Sequence, residues 1–242
     1  MPQALDKSNG CGGPLQPLKA PNIRILNDLR YIAVYGFRID RIVSTIPFHP
    51  SVVRWGRRYA REWNFWQRRC LQHLKERMKP DTPHISILST HLRNLRLGLW
   101  NHDNYKMKLM HVNDLPEINR CYEELISSRA VSADPSNKFP AEEPKDDYLT
   151  PGAEKFLNIG GHDHDQRPYF FTEQGRVGRG CPGDRAGDIL VALCTAPDVF
   201  VLRYEDGSDV ARIIGDAYLD GCMDLDTMPS KGRGPDEWFM LG

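Results

Sequence analysis

The chain has 242 residues, enough for one large domain or two small ones with a core that needs no disulfide support. Its 32 Lys and Arg balance 32 Asp and Glu, so no global field draws in a polyanion or an anionic membrane. Cysteines at 11, 70, 121, 181, 194 and 222 form no CxxC pair and no zinc-finger spacing with histidine, which argues against a redox dithiol or structural zinc and predicts reduced, mostly buried thiols.

Residues 1–21 hold Gly10, Gly12, Gly13 and prolines at 2, 14, 17 and 21, a composition that buries no core and predicts a disordered leader. The opening Met1-Pro2-Gln3-Ala4 lacks the basic-then-apolar order of a secretory signal, and no run approaches the ~18 apolar residues of a membrane span. A cytoplasmic protein without a membrane span is expected. Between Leu29 and Val43 large apolar residues alternate (Tyr31, Ala33, Tyr35, Phe37, Ile39) and Gly36 interrupts them, which predicts a strand, or two strands around a bulge.

From Ser51 to Lys79 the period changes. Val52, Trp55, Tyr59, Trp63, Trp66, Cys70, Leu74 and Met78 recur at steps of three or four, predicting a long amphipathic helix that Pro80 and Pro83 end. Its other faces carry Arg54, Arg57, Arg58, Arg61, Arg68, Arg69, Lys75, Arg77 and Lys79 against Glu62 and Glu76. A second helix is predicted from Asp114 to about Arg129, with Asp114 as cap, Glu117 closing the box, and Ile118, Cys121, Tyr122, Leu125 and Ile126 as its buried stripe. These elements make an α+β body at 22–131.

Between Ser132 and Gln166, four prolines, acidic pairs at 142–143 and 146–147, and Gly160-Gly161 describe a solvated linker at 132–166. Beyond it, short apolar runs alternate with turn chemistry: Tyr169-Phe170-Phe171, Ile189 to Cys194, Val199 to Tyr204 and Val210 to Leu219. That spacing predicts an all-β C-terminal module at 167–241, barrel-like or sandwich-like.

Four constellations invite chemistry. His162-Asp163-His164-Asp165 offers metal-ligating side chains but lies in the linker and lacks an obvious third ligand, so a solvated loop is the better reading and no metal is expected. Gly175-Arg176-Val177-Gly178-Arg179-Gly180 looks like a phosphate loop without the strand-loop-helix frame or the Gly-Lys-Ser/Thr ending, and reads as hairpin turns flanked by arginines. Cys181 with His162 could form a nucleophile pair, yet no local motif or orienting residue accompanies them. The basic helix 51–79 could bind nucleic acid, but its tryptophans share one stripe, as core residues do, whereas a nucleic-acid surface places aromatics and arginines together.

The residues of the closing module carry a family resemblance. Arg167 to Gly175, then Gly178 and Gly180, Gly187-Asp188-Ile189, Phe200 to Arg203, Ile214 to Leu219, Gly221 and Met223-Asp224 resemble, in that order, the C-terminal region of fungal heterokaryon-incompatibility (HET-domain) proteins. Upstream, Val34 to Ile42 resembles the segment of those proteins that follows the HET domain. Cys194-Thr195-Ala196 stands where the family tends to have a glycine pair, Val199 where a proline often stands, and Leu225-Asp226 where Gly-Glu is common. Nothing here resembles the HET domain itself, the TIR-like part presumed to trigger death.

The resemblance implies a role in non-self recognition and programmed cell death, with this region accompanying an effector, and supplies no catalytic residues. The expectation is therefore a non-enzymatic regulatory or interaction protein with a protein partner, nucleic acid not being expected as one, and with no cofactor and no small-molecule ligand. It is either the portion left when the effector is missing or a regulator that acts by binding. A nucleic-acid-binding protein and a cysteine hydrolase are the rival readings.

Overall fold

The structure, a computed structural model, describes residues 23–26, 31–48, 57–96, 99–101, 107–127, 150–158, 167–194, 196, 198–223 and 236–242. The leader expected at 1–21 lies outside them. In chain order the elements are β1 (Ile23–Leu26), β2 (Tyr31–Ile46), α1 (Arg57–Arg77), α2 (His84–Leu95), β3 (Leu99–Asn101), β4 (Met107–Leu109), a 3-10 turn (Val112–Asp114), α3 (Leu115–Ser127), α4 (Pro151–Asn158), β5 (Tyr169–Thr172), β6 (Val177–Arg179), β7 (Ile189–Leu193), β8 (Val199–Tyr204), β9 (Val210–Leu219) and β10 (Asp236–Leu241). The fold is mixed α+β: among the described residues there are four helices, one eight-stranded sheet and the small β3–β4 pair.

The barrel-like or sandwich-like arrangement expected of the strands at 167–241 is not found. They do not close on one another but share the eight-stranded sheet with β1 and β2. The reason is the length of β2, whose 16 residues serve several neighbours. Its first part pairs with β1 and with β10, its middle with β7, and its end with β5. All these pairings are antiparallel; β10 adds a short parallel contact to β9.

Gly36 does not bulge β2. The chain runs straight through it between β7 and β10, and a Cβ there would run into the carbonyl oxygen of Ala192. Glycine is needed for close backbone approach. The irregularities fall later, at Arg38/Asp40 against β7 and at Ile42/Ser44 against β5.

The helices pack against one part of this sheet, where Ile46, Tyr169, Phe171 and Val177 join their core. On α1 the residues Trp63, Trp66, Cys70 and Leu74 are buried, as their spacing predicts, while Val52 and Trp55 lie outside the described residues. α2 has no counterpart in the sequence reading, although Ile87, Leu88, Leu92 and Leu95 bury one side of it. α3 buries Ile118, Cys121, Tyr122 and Leu125, with Ile126 partly buried at the margin. Its capping box lies one turn earlier than predicted: His111 N–H donates to Asp114 Oδ2 at 2.7 Å while Asn113 N–H donates to His111 Nδ1 at 3.2 Å. Glu117, expected to close the box, pairs with Lys155 Nζ at 2.6 Å. That lysine belongs to α4, a helix inside the stretch expected to be linker, where Ala153 and Phe156 are fully packed.

β5 shows how the core is arranged. Tyr169 and Phe171 point to the helices, joining Trp63, Trp66, Leu92, Ile118 and Phe156. Phe170, between them, points the opposite way and joins Phe37, Ile39, Leu190 and Val201. Alternation of side chains along a strand thus buries both faces at once. A third cluster, with Val34, Val191, Leu202 and Phe239, closes the far end under β10. Each large apolar side chain so buried stabilises the fold by about 1.5–3 kcal/mol.

Candidate functional site

A group of titratable side chains outside the helical core lies on the loop 180–188, between β6 and β7, beside β9. Cys181 sits half-buried there, with its Sγ 3.2 Å from the carbonyl oxygen of Asp216 and 3.8 Å from Asp216 Oδ1. Arg167 clamps the same aspartate: its guanidinium donates to Asp216 Oδ1 at 3.1 Å, to Oδ2 at 2.8 Å and to the carbonyl at 3.0 Å. Three residues on, Asp184 turns inward over Gly180, where a Cβ would collide with its carboxylate. It is buried, and neither oxygen makes a hydrogen bond of ordinary geometry among the described residues.

The neighbouring Asp188 has the opposite environment. It accepts from Arg203 Nε and a terminal guanidinium nitrogen, both at 2.7 Å, and from the Arg185 N–H at 2.9 Å. Arg203 also donates to the Gly183 carbonyl at 2.7 Å, drawing the loop onto β8. Burial first, and then the Asp188 charge, push the Asp184 carboxyl up to about 7. The loop therefore holds one satisfied carboxylate beside one strained by desolvation.

This setting keeps Cys181 a thiol. Burial raises its pKa, Arg167 opposes that, and Asp216 and Asp184 add to it. A thiolate nucleophile calls for the reverse arrangement, a thiol facing cations or an amide-rich helix start. His162, its expected partner, lies outside the described residues, as does the whole of His162-Asp163-His164-Asp165. Among the described residues no three His, Cys, Asp or Glu side chains come together as a metal site.

The glycine-rich run makes a hairpin. Gly175 forms the turn, and Phe171 pairs with Val177 across it. Arg176 lies 3.7 Å from Asp40 Oδ2 and donates to the Ile39 carbonyl at 3.3 Å, so its charge is committed to β2. Arg179 does not flank a turn: it is almost wholly buried on β6, donates from Nε to the Arg167 carbonyl at 2.9 Å, and stacks 4.8 Å from the Trp66 ring.

A polar network that sequence reading missed lies beneath α1. Gln67 Oε1 receives the Tyr122 hydroxyl at 2.8 Å and stands 2.9 Å from His91 Nε2, while Gln67 Nε2 donates to Asn64 Oδ1 at 2.7 Å. Tyr169 Oη is 3.5 Å from His91 Nδ1. Burial, with Arg179 and Lys75 nearby, pushes His91 down to about 3, so the ring is neutral and serves as a hydrogen-bonding strut between α1, α2 and α3. Its signal was faint, since a polar residue on a buried helix stripe breaks the hydrophobic period.

α1 also presents a solvent face. Arg68, Arg69 and Lys75 are exposed on it, and with them Phe65, at 59% exposure, an aromatic outside the predicted stripe. Arg77 is engaged instead with the sheet, donating to Ser44 Oγ at 3.0 Å and lying over Phe171. The side chains of Arg54, Arg57, Arg58 and Arg61 lie outside the described residues. No helix among the described residues is long and apolar enough to cross a membrane. Compared with known protein families, with curated proteins and with solved structures, the chain matches none.

Proposed function

We propose that the protein is a non-enzymatic regulatory or interaction protein, related in role to the C-terminal part of fungal heterokaryon-incompatibility proteins and acting in non-self recognition and cell-death signalling. One observation carries the reading. The two stretches that bear the resemblance, Val34 to Ile42 and Arg167 to Leu219, are far apart in the chain yet meet in one sheet, where β2 hydrogen-bonds to both β5 and β7. A resemblance spread over two distant segments is most simply a resemblance of the one unit they build. Burial, which raises the Cys181 pKa, makes that thiol a poor nucleophile.

The test has two arms. Purified protein is incubated with NAD, a nucleoside triphosphate and an activated ester, and no turnover above buffer is expected; turnover abolished by Cys181→Ala would overturn the reading. In a filamentous fungal strain carrying the chain, its deletion is expected to change the frequency of cell death after fusion with an unlike strain. An unchanged frequency would count equally against it.

A further inference from the structure

The solvent face of α1 is independent of that reading and points elsewhere. Trp63, Trp66, Gln67, Cys70 and Leu74 define the buried side of the helix. At 100° per residue, Phe65, Arg68, Arg69 and Gln72 fall on the opposite side, with Lys75 beside them, and all five are exposed. The objection raised by the sequence, that aromatics and arginines occupy different faces, holds for the tryptophans and fails for Phe65. One turn separates its ring from both guanidiniums, which stand at i+3 and i+4. Among the described residues Glu76 is the exposed acidic residue of this face, where Gln72 Nε2 donates to it at 3.0 Å, and the half-buried Glu62 stands one turn before Phe65.

We infer that this face binds single-stranded nucleic acid, with a base stacked on Phe65 and the flanking phosphates contacted by Arg68, Arg69 and Lys75. Charge complementarity selects an anionic partner: three exposed cations against the exposed Glu76 and the half-buried Glu62, on a chain whose net charge is zero. The one exposed aromatic of this face among the described residues then selects among anions. Seating in an anionic membrane requires a continuous apolar stripe, and a peptide helix requires an apolar groove with anchors at i, i+3 and i+4. An isolated ring flanked by guanidiniums satisfies neither, whereas it offers what a single strand uses, a π-face for a base and point charges for its backbone. A duplex, with its bases already stacked, leaves Phe65 without a role.

The full chain is titrated into a fluorescently labelled oligouridylate or oligothymidylate and the anisotropy followed at about 50 and about 200 mM salt. Release of counterions by three cations sets an expected loss of affinity of about 20-fold across that range. Arg68→Glu with Arg69→Glu is expected to weaken binding at least tenfold and to flatten the salt dependence. Phe65→Ala is expected to weaken it about tenfold with the salt dependence unchanged, and Phe65→Trp to restore it. All these positions are exposed, so far-ultraviolet circular dichroism of each variant should match the parent. The inference is overturned by absence of saturable binding at low salt, by variants that bind like the parent, or by displacement of the strand by polyglutamate or phosphatidylserine vesicles at equal charge concentration.

Discussion

Arg93 on α2 holds Asp220, at the end of β9, through two parallel contacts, Nε to Oδ1 at 2.7 Å and a terminal nitrogen to Oδ2 at 2.9 Å. The pair is 127 residues apart in sequence and ties the helical layer to the sheet. Tyr218 Oη adds a third contact to Oδ1 at 3.1 Å, and the Asp220 side chain is only 13% exposed. A planar guanidinium matches a carboxylate in this way and lysine does not.

Arg93→Ala is expected to cost about 2 kcal/mol, much of it from leaving Asp220 partly buried without its cation. Asp220→Ala is expected to cost a similar amount, and the double variant less than the sum, with a coupling of about 1–3 kcal/mol. Urea denaturation of the four proteins measures it. Additive losses would mean that the two residues do not meet.

Two buried groups give the stability of the protein opposite responses to pH. Asp184 ionises near 3.8 when unfolded and at about 7 when folded, so the unfolded chain loses its proton first and stability falls as pH rises between those values, then levels off. Asp184→Asn removes that loss. It is expected to leave stability nearly unchanged at pH 3 and to raise it by about 2 kcal/mol at pH 8, below the ceiling of about 4 kcal/mol that the two values imply. His91 works the other way: depressed from 6.5 to about 3, it lets the unfolded chain take up a proton first, and stability is lost as pH falls through that window. Thermal melts from pH 3 to 8 measure both, and a gain from Asp184→Asn that is the same at every pH would refute the assignment.

Gly36→Ala is expected to cost about 3 kcal/mol, because the added methyl group meets the Ala192 carbonyl and forces β2 and β7 apart. Amide exchange at Ala192 and Leu193 should accelerate with it. A loss under about 0.5 kcal/mol would show that the strands do not approach as described.

Local pattern made several elements readable in advance. β8 and β9 occupy Val199–Tyr204 and Val210–Leu219, the runs that alternation and turn residues mark, and the Trp63-Trp66-Cys70-Leu74 stripe is buried as its spacing requires. α2 escaped notice because Thr90, His91 and Asn94 interrupt its apolar stripe, and these polar residues are buried for reasons found on other elements. Phe65 escaped for the converse reason. It lies off the hydrophobic period, so pattern reading had no use for it.

The candidate site divides in the same way. Cys181, Asp184 and Asp188 stand close together in sequence, but the sequence does not distinguish their fates. Asp188 finds Arg203 fifteen residues away and stays satisfied, whereas Asp184 turns inward against Gly180 and is desolvated. Whether a carboxylate is stabilised or strained depends on which cation the sheet brings beside it.

Composition and periodicity by themselves determined α1, α3, the strands β5, β7, β8 and β9, and the helical face that must be buried, because these depend on side-chain spacing along one segment. Only the tertiary structure decided that β2 belongs to the same sheet as the closing strands, that Arg179 lies inside, and that Gly36 is a contact and not a bend. Those outcomes are set by pairings between distant residues, where hydrogen-bond register and desolvation, not local preference, choose the partner.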